Sequence, residues 1–369
     1  MTTPIPPDHT VASRVVVRAP NWLGDAVLAL PAMAALRRHF ADAHFAIAAP
    51  AGFAEMFREN IAAKPDEVIA LPAKPAAIRA VLAAGQFELS VLFPNSFRSA
   101  WLFKQVGIRE RWGYRRAFRG PLLTRRSAYR CAVGVQHQAD YYRDLVRGFG
   151  VPVDETAPRI GLTDATRQRG LDLLQRFKVD ASRRLVILAP GAAYGQAKQW
   201  PPARVADIAL RLVRDRDATC VMVGAGHDRD AARAVESTFA DLSRALPASG
   251  ALRHGGAPRL IDLTGQTSLP ELMGVIARSD AVVANDSGAM HLAAALERPV
   301  VAIFGPTDER ATRPVGPHEV LTADVFCRPC HLRDCPIDHR CMKRVTADMV
   351  FAAVSRQLAF RRESVRGSS

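Results

Sequence analysis

Four apolar residues, Ala281-Val-Val-Ala284, run into the polar turn Asn285-Asp-Ser-Gly288; a short helical stretch and a second apolar run, Val300-Val-Ala-Ile303, follow. Apolar runs this short read as strands buried on both faces, and two of them joined through a helix read as neighbours in a parallel sheet. The turn puts small residues and free backbone N–H groups at a helix N-terminus, where unpaired donors and the helix dipole favour a phosphate. Asp286 and His291 flank that spot. In isolation, a helix-capping Asp-Ser pair explains the turn equally well.

The same alternation recurs along the whole chain. Strand-like runs at Arg14–Arg18, His44–Ala48, Glu67–Ala70 and Leu89–Phe93 are separated or followed by helical patterns near Ala26–Phe40, Phe53–Asn60, Ala76–Ala84 and Ser99–Val106. A polar, proline-bearing stretch from about Gly150 to Ser182, with a charged helical pattern at Ala165–Phe177, marks a boundary. A second series follows, with strands at Leu185–Leu188, Thr219–Val223, Leu260–Leu263, Ala281–Ala284 and Val300–Ile303. Helical patterns lie at Ala203–Arg214, Ala231–Phe239 and Leu269–Ala277, and a last one at Ala347–Leu358 precedes a basic tail. Such alternation predicts parallel sheets with helices on both faces. Its length of 369 residues suits two such domains. The expected division is 1–165, 166–346 with a cysteine-rich loop, and 347–369 as a terminal helix and tail. Ligands of such sheets bind beyond the carboxyl ends of the strands.

The charge is uneven. The chain carries a net +14, and ten Lys/Arg against the single acid Glu110 lie between Arg98 and Arg130, interleaved with Trp101, Phe103, Trp112, Tyr114, Phe118 and Tyr129. A basic, aromatic stretch suits nucleic acid, an anionic membrane surface or an acidic substrate. No helix-turn-helix, RNA-recognition or zinc-finger pattern accompanies it, which ranks nucleic acid last. No apolar run approaches the roughly 20 residues that span a bilayer. Met1–Thr10 holds three prolines and no apolar core of a secretory signal. A cytoplasmic location is expected.

Several turns carry chemistry. Ala19-Pro-Asn-Trp-Leu-Gly-Asp-Ala26 follows the first strand; Gly24 permits close backbone approach and Asp25 opens a helix, but the G-x-G-x-x-G of a dinucleotide site is missing, against a dehydrogenase. Ala189-Pro-Gly-Ala-Ala-Tyr-Gly-Gln-Ala-Lys-Gln-Trp-Pro201 holds Gly191, Gly195 and Lys198, a cation able to neutralise a diphosphate opposite Asp286-Ser287-Gly288 without a metal. Gly224-Ala-Gly-His-Asp228 ends another strand, with Asp228 placed to accept hydrogen bonds from ribose hydroxyls.

Together these pieces resemble glycosyltransferase family 9, the ADP-heptose:lipopolysaccharide heptosyltransferases, the type II enzymes most closely. The matching residues are Trp22-Leu-Gly-Asp25 with Leu30-Pro31, Phe93-Pro-Asn-Ser-Phe-Arg-Ser99, Pro190-Gly191, Lys198-Gln-Trp-Pro201, Thr264-Gly265 with Ser268-Leu269, and Asn285-Asp-Ser-Gly288 with His291 and Phe304-Gly-Pro-Thr307. The resemblance implies an α/β GT-B glycosyltransferase, two Rossmann-like doubly wound domains facing a central cleft, the first for the acceptor and the second for the ADP-sugar. It implies transfer of L-glycero-D-manno-heptose from ADP-heptose, with inversion, to the lipid A–inner core acceptor as its second heptose. Asp25 would be the general base and Lys198 the phosphate ligand that stabilises the leaving diphosphate. Ser287 and Gly288 would cradle that diphosphate, Asp286 would hold heptose hydroxyls, Asp228 would read the ribose, and His291 would order the helix start. Gly24 and Gly191 complete the donor set; Asn95 and Arg98 are expected at the acceptor, and no cofactor or metal is expected in catalysis. The basic segment would then meet acceptor anions and the anionic inner-membrane surface, making the enzyme peripheral there. Some relatives carry hydroxyl residues before the lysine where this chain has Ala192 and Ala193, which leaves phosphate contacts to the backbone. Other acceptors, as for heptosyltransferases I and III, share the donor motifs. A non-catalytic nucleotide-sugar- or nucleic-acid-binding protein is the reading from another class, disfavoured by the pairing of Asp25 with Lys198.

Four cysteines form Cys327-x₂-Cys330-x₄-Cys335-x₅-Cys341, with His331 and His339 between them. A structural zinc site and a pinned loop of reduced thiols both fit a reducing compartment; only the first pair has the usual zinc-ligand interval. A similar segment occurs in heptosyltransferase II-like sequences. Cys131 and Cys220 read as ordinary buried thiols.

Overall fold

The computed structural model describes residues 12–129, 135–246 and 259–366, with side chains of the last helix to residue 359. Cys131, Arg130, the first ten residues and the end of the basic tail therefore lie outside the described residues. The chain divides into two compact units, Met1–Gly161 and Leu162–Ser369.

In the first unit, strand β1 (Arg14–Arg18) leads into helices α1 (Leu23–Leu28) and α2 (Leu30–His39). Strand β2 (His44–Pro50), β3 (Glu67–Leu71), helix α3 (Pro75–Ala84), β4 (Leu89–Leu92) and helix α4 (Phe97–Gln105) follow. Strands β5 (Glu110–Tyr114) and β6 (Arg125–Ser127) and helix α5 (Gln138–Arg147) complete it. Every strand pair is parallel, in the order β3-β2-β1-β4-β5-β6. The β-branched interior of β1, Val15–Val17, is fully buried, as a central parallel strand requires.

The second unit opens with helix α6 (Asp164–Arg176), β7 (Arg184–Ala189), helix α7 (Pro202–Arg216), β8 (Ala218–Met222), helix α8 (Arg229–Arg244) and β9 (Leu260–Asp262). It continues through helix α9 (Leu269–Arg278), β10 (Ala281–Asn285), helix α10 (Gly288–Ala295), β11 (Val300–Ile303), helix α11 (Glu309–Thr312) and β12 (His318–Leu321). Short α12 (Arg340–Lys343) and α13 (Ala347–Arg366) end the chain. The sheet runs β12-β11-β10-β7-β8-β9, all parallel. Counted from its own first strand, this is the same order as the first unit's, the Rossmann order. Two Rossmann-like, doubly wound α/β units are what the alternation predicts.

Four details differ from the sequence reading. The division falls at Gly161/Leu162 rather than after 165, so α6 and its Thr163 cap lie wholly in the second unit. Helix α13 is no separate piece: Val350, Ala353, Val354 and Leu358 join the core formed by α7 and β7. The single helix expected at Ala26–Phe40 breaks at Ala29, because Pro31 has no N–H to continue the ladder. The helix expected at Phe53–Asn60 is a 3₁₀ segment, Ala54–Arg58.

Helices α6 and α9 meet backbone to backbone. A Cβ added at Gly170 would stand 2.4 Å from the Gly274 carbonyl carbon. Gly→Ala inside a helix ordinarily stabilises, by roughly 0.5–1 kcal/mol; here the contact reverses the sign. Gly170→Ala is expected to lower the urea midpoint, with a cost of about 1–3 kcal/mol typical of overpacking. An unchanged or raised midpoint would show that the helices can part without loss.

Candidate functional site

Where strand order reverses in a doubly wound sheet, loops diverge and leave a crevice. In the first unit that point lies between β1 and β4. A pocket of about 360 Å³ opens there, lined by residues after β1 (Asn21, Trp22, Asp25), residues after β4 (Phe93, Asn95) and tyrosines of α5. Arg18 prepares the turn: burial lowers its pKa to about 10, and Nη2 donates to Asn21 Oδ1 (2.7 Å).

Asp25 lies in the first turn of α1, just after the buried Gly24. The Tyr142 hydroxyl donates to Asp25 Oδ1 at 3.0 Å. Burial foremost, then the Asp25 charge, push the Tyr142 phenol well above its ordinary pKa, so it remains a donor. The result is a carboxylate aimed by a buried phenol. Asn95 donates its amide to Tyr141 Oη and accepts from Arg119 Nη2 (3.1 Å).

Part of the basic segment turns inward. Arg119 is fully buried, and its remaining donors go to the backbone carbonyls of Tyr114 and Pro94. Arg111 spends its guanidinium on the Leu122, Ile108 and Arg109 carbonyls. Trp112 and Tyr114 are core residues of β5. Two of the segment's cations, Arg111 and Arg119, are thus internal scaffolding, while Arg98, Lys104, Arg109, Arg115, Arg116 and Arg126 stay exposed. Arg98 lies exposed on α4, outside the pocket lining; Arg116, its guanidinium 4.3 Å from the Tyr129 ring centroid, is the cation that lines it.

In the second unit the order reverses between β7 and β10. Asn285, at the end of β10, donates to the carbonyls of Pro190 (2.6 Å) and Gly191 (3.3 Å) and accepts from the Trp200 N–H (3.3 Å). Both ends of the Pro190–Trp200 loop are therefore fixed to β10. Between them, Lys198 Nζ reaches Asp286 Oδ2 at 2.5 Å, with side-chain exposures of 11% and 7%. Thr307 donates to the same oxygen (2.6 Å), and the Tyr194 ring lies 4.6 Å from the ammonium. Ser287 precedes α10 with no side-chain capping bond, and Gly288 is its first residue. The hydroxyl-capping explanation of this turn does not apply.

Asp228 is buried, its Oδ2 accepting from Ala225 N–H (2.9 Å); a Cβ at Gly191 would come within 2.2 Å of its carboxyl carbon. Only glycine allows that approach. His291 is buried one turn into α10. The cysteine-bearing segment braces both halves of the site. Its His331 and Arg333 carbonyls accept from Tyr194 Oη (2.8 Å) and Ala197 N–H (2.9 Å), while Arg328 donates to the Gly305 and Thr307 carbonyls. Cys327, Cys330, Cys335 and Cys341 are free thiols; among the described residues no group of three or more His, Cys, Asp or Glu is placed to hold a metal ion. Cys220 is fully buried, its thiol pushed up to about 12.

The profile of glycosyltransferase family 9 (heptosyltransferase) matches residues 76–340, well over half of the chain. The chain belongs to glycosyltransferase family 9. This family 9 glycosyltransferase is 26% identical over 328 residues to the lipooligosaccharide heptosyltransferase 2 of Haemophilus ducreyi, covering 84% of this chain and 88% of that protein. It is 26% identical over 318 residues to the lipopolysaccharide heptosyltransferase 2 of Escherichia coli, covering 82% and 85%. The solved structure of E. coli ADP-heptose lipopolysaccharide heptosyltransferase II shares its fold, with a TM-score of 0.77 at 23% identity over 95% of this chain and 99% of that one.

Sequence reasoning missed Tyr142, Thr307 as a partner of Asp286, Arg116 and the clamping role of Asn285. In this family 9 glycosyltransferase, Asn285→Ala strips three bonds from the lysine loop. It is expected to destabilise the fold by about 1–3 kcal/mol, the cost of unpaired buried groups, and to raise the donor KM; a wild-type melting curve and KM would refute the clamp. Tyr142→Phe is expected to lower kcat for glycosyl transfer roughly tenfold, equivalent to about 1.4 kcal/mol, with donor KM unchanged. Equal kcat in steady-state assays would show that the phenol does not aim the carboxylate.

Proposed function

We propose that this glycosyltransferase moves L-glycero-D-manno-heptose from ADP-heptose to the inner core of lipopolysaccharide, as its second heptose, with inversion at the anomeric carbon. The observation that carries the reading is the lysine loop: Lys198 and Asp286 meet at the uncapped start of α10. The names of the relatives, heptosyltransferases 2, support donor and acceptor.

As the bond to the diphosphate breaks, positive charge grows on the sugar and negative charge on ADP. Lys198 and the backbone N–H groups at Ser287 and Gly288 stabilise the latter, fixed charges and dipoles acting strongly where water is scarce. Asp286, beside Lys198, takes the heptose hydroxyls; Asp228 reads the ribose, Gly191 gives the loop its close approach, and His291 orders the helix start. Asp25, following Gly24 and held by Tyr142, removes the proton from the acceptor hydroxyl. Attack on the face opposite the leaving group inverts the centre. Asn95 and Arg98 are assigned to the acceptor, whose phosphates and carboxylates suit arginine. The first unit thus serves the acceptor and the second the donor, and the diphosphate is neutralised by protein groups alone. The acceptor is lipid-anchored, so the enzyme works from the cytoplasm at the inner-membrane surface.

The test is acceptor-dependent ADP release from ADP-heptose, wild type against Asp25→Asn. General-base assistance is typically worth roughly 10²–10⁴-fold, and a loss of that size with donor binding retained is expected. Turnover only on an acceptor lacking the first heptose would make this a first-heptose transferase. No turnover with any core acceptor would sink the heptosyl reading.

A further inference from the structure

The exposed aromatic side chains of the described residues are not scattered. Trp22 (56% exposed), Phe97 (49%), Trp101 (43%) and Phe118 (96%) all belong to the first unit, and Phe326 is the one large apolar aromatic of the second that is equally open. Each of the four lines the Asp25 pocket, lies within two residues of its lining, or stacks on one that does. Trp22 lines it; Phe97 follows the lining residue Ser96; Phe118 lies two residues beyond the lining residue Arg116. Trp101 stacks on Phe97, ring centroids 6.3 Å apart and planes within 14°. Helix α4 packs on the turn that follows Phe118, which brings these segments together.

Around Phe97, Trp101 and Phe118 the charges nearest in the chain are all positive. Arg98, Lys104, Arg115 and Arg116 are exposed, Lys104 Nζ lies 5.9 Å from the Trp101 ring, and no acid occurs from Phe93 to Arg109 or from Arg111 to Tyr129. Water-exposed tryptophan and phenylalanine with surrounding cations fit one environment well. Amphipathic rings favour the headgroup level of a bilayer, and each nearby Lys or Arg adds about 1 kcal/mol of attraction to anionic lipid.

We infer that this rim is a membrane-docking surface: Phe97, Trp101 and Phe118 enter the headgroup–acyl boundary of an anionic phospholipid bilayer, with Trp22 at the pocket mouth and the cations on lipid phosphates. Docking sets the opening above Asp25 against the bilayer, so a lipid-anchored acceptor reaches the base without leaving the membrane. The inference rests on the proposed reaction for that purpose, not for the binding.

The experiment sediments the full chain with vesicles of phosphatidylcholine alone and of equal parts phosphatidylcholine and phosphatidylglycerol. A triple variant, Phe97→Ser, Trp101→Ser and Phe118→Ser, runs in parallel, its fold checked by melting. Wild type is expected to partition onto the anionic vesicles and weakly onto the neutral ones, with a blue shift of tryptophan emission. The triple variant is expected to bind anionic vesicles more weakly by roughly tenfold or more. Equal binding by variant and wild type, equal binding to both vesicles, or no binding to either overturns the surface. Transfer to a deacylated, water-soluble acceptor separates the two ideas. It is expected to be unchanged in the triple variant, and a drop there equal to the loss on vesicles overturns the docking role. Failure of wild type on that acceptor counts against the transferase reading alone, while the sedimentation still decides the surface.

Discussion

A single buried amide organises the second unit of this protein. Beyond the last rung of a parallel sheet, neighbouring strands part and their backbone groups lose partners. Asn285 supplies them for β7: it accepts from Trp200 and donates to Pro190 and Gly191, so the loop leaves and returns under one side chain. Trp200 is held from behind as well, its indole N–H donating to the Val345 carbonyl at 2.9 Å. Lys198 sits between two fixed points, which is why a flexible side chain on a glycine-bearing loop reaches Asp286 at all. Asp286 gains Thr307 from the next strand's end, so neighbouring strands of the sheet converge on one ion pair. Buried pairs are costly unless their remaining lone pairs are satisfied, and Thr307 does this.

The first unit solves the same topological problem with different chemistry. After β4, the carbonyl of Pro94 and the amide of Asn95 are held by the Arg119 guanidinium, which is fully buried and reaches back to the Tyr114 carbonyl. Burial lowers its pKa to about 10, a measure of the desolvation this arrangement accepts. An amide suffices in one unit and a cation is used in the other, although both sheets have the same strand order. Asp25, like Lys198, stands just past the first strand of its sheet, and both depend on partners delivered by later elements.

That dependence explains what could be read from the chain. Strands β1, β4, β7, β8, β10 and β11 announce themselves as short apolar runs because both faces are covered. Strands β5, β6 and β12 do not: they carry Glu110, Arg111, Arg125, Arg126, His318 and Glu319, and β6 and β12 are edge strands, where charge is tolerated and guards against mispairing. The placement of Asp25, Lys198, Asp286 and Ser287 in turns beyond strand ends was legible because the local chemistry of those turns is distinctive. Their helpers were not. Tyr142 is 117 residues from Asp25, on a helix that polar residues disguise. Arg111 and Arg119 were hidden for a related reason, since a count of arginines does not distinguish those that face water from those that cap carbonyls inside.

Helix α13 has a further consequence, for the order in which the protein can be made. Chains leave the ribosome N-terminus first, and domains fold as units. The first unit has its last strand by Ser127 and its last helix by Arg147, so it can close while the rest is still being translated. The second unit cannot: Val350, Ala353, Val354 and Leu358 form part of the same core as Val186, Leu188 and Val283. Its sheet stays open on one side until the segment from Val350 to Leu358 has been made. A premature stop in this region would remove a wall of the second unit, leaving a folded first unit attached to an exposed, adhesive remainder.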